Sequence, residues 1–208
     1  MALGFVSMGD SKVKTSKALS WLLRHGAAKE GLELLPGGWA KLDDVLKKPK
    51  FKRVTVQDIE EVVISCPKQR FGLKEEDGVY YIKANQGHSI QVEDPELTEI
   101  TLEDRVLEVV HGTYYRHWPS IKEQGLSRMN RTHIHFAPGL PGDSAVISGM
   151  RTSCQLYIWI NLPKALEDGY KFYKSANNVI LCPGNEEGFL PPKYFAKVTD
   201  KRTGENRL

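Results

Sequence analysis

In RFGLKEEDGVYYIKA, residues 70–84, two β-rich runs flank Asp77–Gly78, and an Asp-Gly pair between such runs is a strong hairpin signal. The segments before it have helical spacing instead. SKALSWLLRHG, residues 16–26, places Leu19, Leu22 and Leu23 on one stripe, with Gly26 suited to end the helix. LLPGGWAKLDDVL turns at Gly37–Gly38 and resumes with Leu42, Val45 and Leu46. Thr55 can cap VQDIEEVVIS, which would bury Ile59, Val62 and Val63. Three short helices followed by a hairpin suggest a winged-helix module.

The pattern changes after QVEDPELTEITLED, residues 91–104, an acidic and weakly patterned stretch that reads as a boundary. Beyond it VLEVVHGT, HIHFA, QLYIWINL and NNVILC read as strands between glycine- and proline-rich turns. WPSIKEQGL reads as a short helix ended by Gly125, and SAVISGM as another. The expected fold class is α+β. Residues 1–10 form a disordered start, 11–92 a winged-helix lobe, 93–104 a linker and 105–208 a β-rich lobe.

A chain of 208 residues permits such a pair of lobes. The 29 basic and 26 acidic residues leave a formal charge of +3, so any polyanion must be gripped by locally concentrated charge. Cys66, Cys154 and Cys182 are far apart and odd in number. They suggest neither a disulfide framework nor a zinc spacing, and a reducing compartment fits them. The start carries no secretory pattern and no apolar run is long enough to span a bilayer. A soluble monomer of the cytoplasm or nucleus, without membrane contact, is expected.

Several short motifs carry chemistry. Arg24 and His25 end an apolar helical run, where cations suit the helix dipole and where they could equally hold an anion. His133 and His135 share a strand face by the two-residue repeat, but no HExxH or paired cysteines supply the further ligands a metal needs. No metal is expected. In VVHGTYY, Gly112 lets a flat ligand approach the backbone, flanked by the polar His111 and Thr113. Arg70 and Arg131 each begin a strand, and Arg151 stands near an expected helix end. There is no GxGxxG and no P-loop, so a nucleotide would be held outside a doubly wound sheet.

Taken in order, LLRHG, KQRF, ANQGHS, HGT, RTHIHFAPGLPGD, SGMR, SANNVILCPG and GFLPPKYF resemble the tRNA 2′-phosphotransferase family, and its eukaryotic members most. The resemblance runs from Ser16 to Val198. It implies a winged-helix RNA lobe and a C-terminal lobe of the ADP-ribosyltransferase fold. The implied activity is the last step of tRNA splicing, with NAD as co-substrate and 2′-phosphorylated ligated tRNA as partner. The RNA 2′-phosphate attacks the ribose C1″ of NAD and expels nicotinamide. The ribose 2″-hydroxyl then attacks phosphorus, giving RNA with a free 2′-hydroxyl and ADP-ribose 1″,2″-cyclic phosphate. A transfer of ADP-ribose to terminal phosphates of RNA or DNA is the alternative. Transfer to protein side chains is disfavoured, because NNVILC offers Val179 where the protein-modifying enzymes carry glutamate.

The resemblance places an essential quartet on Arg24, His25, Arg70 and Arg131. A phosphomonoester carries nearly two negative charges, which arginine forks hold in pairs. Without an anion the guanidinium groups would repel, by roughly 4 kcal/mol at about 4 Å and an effective dielectric near 20. The same resemblance assigns His111, Gly112, Thr113, His135, Ser148, Gly149 and Arg151 to NAD. RNA contacts are expected from the basic residues of the first lobe, such as Lys12, Lys14, Lys17 and Lys29, and at Lys83 and His88. Lys83 keeps the charge of a frequent family arginine but not its fork.

Overall fold

A computed structural model describes residues 9–92, 97–104, 108–143 and 146–208. The chain divides into two compact units, Met1–Pro95 and Glu96–Leu208.

In the first unit, helix α1 spans Asp10–Trp21 and runs on into a π-helical turn, Leu22–Gly26. Leu19, Leu22 and Leu23 are buried as their spacing requires. Gly26 does not end the helix. Its missing side chain makes room for Trp21, whose ring atoms would lie 2.5 Å from a Cβ there. The stop comes at Gly31, which has φ +59°. Its N–H donates to the Ala28 carbonyl at 3.2 Å, and the Leu32 N–H donates to Ala27 at 2.8 Å. That bond pair is a Schellman motif, which needs a residue free to adopt positive φ. The expected disordered start at residues 1–10 meets α1 at Asp10, and residues 1–8 lie outside the described ones.

Strand β1 (Ala40–Lys41) and helix α2 (Leu42–Leu46) follow the glycine turn. Helix α3 (Val56–Ile64) begins with a capping box: Asp58 N–H donates to Thr55 Oγ1 at 3.2 Å, and Thr55 N–H donates to the Asp58 carboxylate at 2.8 Å. Strands β2 (Phe71–Glu76) and β3 (Val79–Ala84) form the hairpin, with Asp77 and Gly78 both at positive φ, the geometry of a type I′ turn. The sheet order is β1–β3–β2, all antiparallel. Its core joins Leu19, Leu22, Leu23, Val45, Phe51, Ile59 and Ile82.

The second unit begins with β4 (Thr98–Ile100), β5 (Val110–Thr113), α4 (Trp118–Gln124), β6 (Leu126–Ser127) and β7 (Ile134–Phe136). It continues with β8 (Leu156–Ile160), α5 (Leu162–Glu167), β9 (Phe172–Lys174), β10 (Ile180–Cys182), β11 (Phe189–Leu190) and β12 (Phe195–Asp200). The antiparallel sheets run β4–β9–β10–β7, β12–β8–β5 and β11–β6. A two-bond bridge between Val110 and Ala137 ties β5 to the residue after β7.

Three expectations need correction here. Part of the supposed linker is the edge strand β4, whose Ile100 is buried against the core of the second unit. Residues 93–96 of that linker lie outside the described ones, as do residue 105 and the first two residues, 106 and 107, of the strand expected from Val106. In SAVISGM, Ser144 and Ala145 lie outside them too, while 146–150 form no helix. Gly149 there has φ +105° and presses against the backbone after β7, which a helix could not do. Finally, His133 precedes β7, so it does not share a strand face with His135. It instead bonds Thr132 and meets the Tyr173 ring edge-on.

Candidate active site

In the first unit a hollow of about 520 Å³ is lined by Val13, Ser16, Lys17, Ser20, Trp21, Arg24, His25 and Arg70. Three of the four quartet residues therefore share one concavity. Arg24 and His25 reach it from the π turn. Such a turn holds one residue more than an α turn and so rotates the next side chains about the helix axis. Leu23 stays fully buried while Arg24 is half-buried and His25 exposed.

Arg70 reaches the hollow from the residue before β2, and the hairpin register determines what stands opposite. Phe71 pairs with Ala84, so Asn85 follows directly across from Arg70. The Asn85 N–H donates to the Arg70 carbonyl at 2.9 Å, and its side-chain amide donates to the Gln69 carbonyl at 2.7 Å. Gln69 has φ +43°, an uncommon geometry for a side-chain-bearing residue, and these bonds hold it. The Arg70 guanidinium donates to Cys66 Sγ at 3.2 Å.

The loop leaving β3, ANQGHS, then reaches the Arg24–His25 pair. Gly87, at φ +89°, presents bare backbone to Arg24; a Cβ there would stand 3.6 Å from the guanidinium carbon. The Ser89 N–H donates to the Arg24 carbonyl at 3.0 Å, and Ser89 Oγ lies 2.9 Å from His25 Nδ1. A single loop thus touches all three hollow-lining members of the quartet. His88 stands out in the sequence, whereas Asn85 and Ser89 do not. The only local signal was the polar ANQGHS string, because their partners are distant in sequence.

The expected RNA contacts separate. Lys17 is exposed and lines the hollow. Lys83 is only 1% exposed, its ammonium 5.1 Å from the centre of the Trp39 ring. His88 is 7% exposed. Side chains so enclosed offer little surface to an RNA backbone. Alternation alone would leave Lys83 on the face opposite Ile82, but its cross-strand partner Gly72 on β2 leaves room for it beside Trp39.

The fourth quartet residue, Arg131, belongs to the second unit and is exposed on the turn before β7. Its N–H donates to the Arg128 carbonyl at 3.1 Å, and the Arg128 guanidinium donates back to the Arg131 carbonyl at 2.9 Å. Gly188 gives Arg128 its space, since a Cβ there would come within 2.4 Å of the guanidinium nitrogen Nε. Partial desolvation, and then the like charge of Arg151, lower the Arg131 pKa from its ordinary value. Two of the basic residues singled out by sequence are therefore electrostatic neighbours.

The seven expected dinucleotide residues all belong to the same unit. His111 Nδ1 lies 2.9 Å from the His135 carbonyl, and its ring meets Phe136 edge-on. Desolvation lowers the His111 pKa, the His135 carbonyl opposes that shift, and the Arg131 charge adds to it. A Cβ on Gly112 would meet Cys154 Sγ at 2.9 Å and Met150 Sδ at 3.1 Å. One on Gly149 would stand 2.6 Å from the Phe136 carbonyl oxygen. Thr113, His135 and Ser148 are buried, while Arg151 is exposed. Tyr114, which sequence inspection did not single out, joins this group. Its hydroxyl bonds Ser153 at 2.8 Å, and that bond, then Arg151, lower its pKa.

The cysteines do not offer a nucleophile. All three are free and buried, and desolvation pushes the Cys182 thiol up to about 12. Among the described residues, no group of three or more His, Cys, Asp or Glu side chains is placed to hold a metal ion. No helix among them is long and apolar enough to cross a membrane.

Residues 10–184 match the family described as RNA 2′-phosphotransferase, Tpt1 / KptA family. The chain is 52% identical over 190 residues to tRNA 2′-phosphotransferase 1 of Danio rerio, covering 89% of this chain and 84% of that protein. It is 48% identical to tRNA 2′-phosphotransferase 1 of Homo sapiens over 196 residues, 93% of this chain and 78% of the relative. Identity to tRNA 2′-phosphotransferase of Saccharomyces cerevisiae is 40% over 201 residues, with coverage of 91% and 84%.

Proposed function

The chain belongs to the RNA 2′-phosphotransferase, Tpt1 / KptA family, and from that premise we propose that it transfers the splice-junction 2′-phosphate of ligated tRNA to NAD. The observation that carries this reading is the gathering of Arg24, His25 and Arg70 around one hollow. Its volume of about 520 Å³ suits a phosphorylated nucleotide better than a bare ion, since small-molecule sites span about 300–1,000 Å³. The three helices and the β1–β3–β2 sheet support a winged-helix RNA lobe, and the antiparallel sheets of the second unit support an ADP-ribosyltransferase-like lobe.

Arg24 and Arg70 clamp the 2′-phosphate and steady the charge that builds on it, and Lys17 meets the neighbouring RNA backbone. His25 moves protons between the ribose hydroxyl and the departing RNA oxygen, a task suited to an imidazole. Arg131 orients the phosphate for attack. The second unit has features that fit a dinucleotide. Arg131 and Arg151 are like charges that an anion would relieve, and Gly112 presents backbone without a side chain. We assign NAD to His111, Gly112, Thr113, His135, Ser148, Gly149 and Arg151. When bound, NAD supplies a ribose carbon with nicotinamide as its leaving group.

The test is direct. The purified protein, NAD and a short RNA with one internal 2′-phosphate should yield nicotinamide, ADP-ribose 1″,2″-cyclic phosphate and 2′-hydroxyl RNA. Release of inorganic phosphate without nicotinamide would refute the NAD-dependent reading.

A further inference from the structure

The contact between His25 and Ser89 joins two residues 64 positions apart, and its proton order can be worked out from the neighbouring atoms. Ser89 Oγ lies 2.9 Å from His25 Nδ1 and 3.5 Å from the Arg24 carbonyl oxygen, the second at the outer limit of a hydrogen bond. A carbonyl can only accept. Only with the single hydroxyl proton directed at that carbonyl are both contacts hydrogen bonds, and the oxygen lone pairs then face the imidazole. The ring nitrogen must then donate, giving the order Nδ1–H···Oγ–H···O=C. The Ser89 N–H, bonded to the same carbonyl at 3.0 Å, fixes the serine backbone in place.

We propose that Ser89 is a positioning residue for proton transfer at His25. By accepting the Nδ1 proton it selects the tautomer, fixes the ring plane and makes Nε2 the nitrogen that exchanges protons with the RNA substrate. This rests on the proton-transfer role of His25 proposed above. Which nitrogen of a histidine carries the proton is set by the bond the other nitrogen makes. Here the serine is anchored to the residue just before the histidine, so the π turn and the imidazole are oriented together. Ser89 is exposed, so removing its hydroxyl leaves no cavity in the core.

The experiment compares the parent protein with Ser89→Ala, Ser89→Thr and His25→Ala, using NAD and the internally 2′-phosphorylated RNA. Ser89→Ala should lower kcat by about 10- to 100-fold, part of the roughly 10²–10⁴ that a positioned acid or base contributes. KM for the RNA should stay unchanged. Ser89→Thr, which keeps the hydroxyl, should recover most of the rate. Nitrogen-15 spectra should show neutral His25 as the Nδ1–H tautomer in the parent and a shift toward Nε2–H in Ser89→Ala. A parent imidazole in the Nε2–H form overturns the proposal, as does Ser89→Thr no faster than Ser89→Ala. A wild-type rate in His25→Ala refutes the proton-transfer role and this proposal with it. Loss of activity in His25→Ala with full activity in Ser89→Ala refutes the proposal alone.

Discussion

The two units hold their candidate site residues by different means. In the first, side chains do the holding: Asn85 secures the turn that presents Arg70, Cys66 accepts from its guanidinium, and Ser89 bonds His25. In the second, closely packed backbone does much of it. Gly112 lies against Cys154 and Met150, Gly149 against the Phe136 carbonyl, and His111 bonds a main-chain oxygen. Side-chain bonds can be deleted one at a time with the fold intact, whereas backbone contact is broken by adding a single methyl group.

The largest effect should come from Arg24→Ala. Removing one preorganised contact to developing charge costs about 10²–10³-fold in rate, and Arg24→Lys should recover little of it, because an ammonium lacks the planar fork. A rate within threefold of the parent, with RNA affinity unaltered, would remove Arg24 from the phosphate clamp.

Gly149→Ala should act on the fold of the second unit. At φ +105° and 2.6 Å from a carbonyl oxygen, the added Cβ has nowhere to go. Overpacking and the strained φ together cost on the order of 3 kcal/mol, read as a lowered midpoint in urea. An unchanged midpoint would break the contrast between backbone-held and side-chain-held sites.

A third measurement concerns His111. Its pKa lies below the ordinary histidine value in the folded protein, so the unfolded chain binds the proton more readily. The associated stability is fully present above the unfolded value, about 6.5, and is lost as pH falls through the lowered folded value. His111→Gln should abolish that part of the pH dependence of the urea midpoint. Arg131→Gln should raise the His111 pKa in a magnetic resonance titration, since the arginine charge helps depress it. A pKa unmoved by Arg131→Gln would uncouple the two residues.

The smallest effect is a control. Thr55→Ala removes one half of the α3 capping box and should cost about 1 kcal/mol of stability. Turnover with saturating RNA and NAD should remain that of the parent, because Thr55 contributes nothing to the hollow. A fall in kcat would show that the first-unit site depends on helix ends as well as on its bracing loop.

Much of the local architecture is legible from sequence. The Asp77–Gly78 turn, the Thr55 cap and the Gly125 helix stop appear where side-chain chemistry puts them. Errors arose where a residue type suited two roles. Gly26 reads as a helix stop, yet Trp21 uses its bareness and Gly31 supplies the positive φ. Lys83 reads as an RNA contact, yet its side chain is buried beside Trp39 in the space that Gly72 leaves. Thr98–Ile100 reads as linker because an edge strand of three residues is too short to establish a period.

The sequence by itself determined the family, the helical and β-rich halves, and the residue types able to hold a phosphate, since motifs and periodicities are written in neighbouring positions. Only the tertiary structure decided that Asn85 faces Arg70, that Ser89 meets His25, and that Arg131 feels Arg151. Hydrogen bonds and Coulomb forces act over a few ångströms of space, and the chain separation of two residues does not reveal whether folding will close that distance.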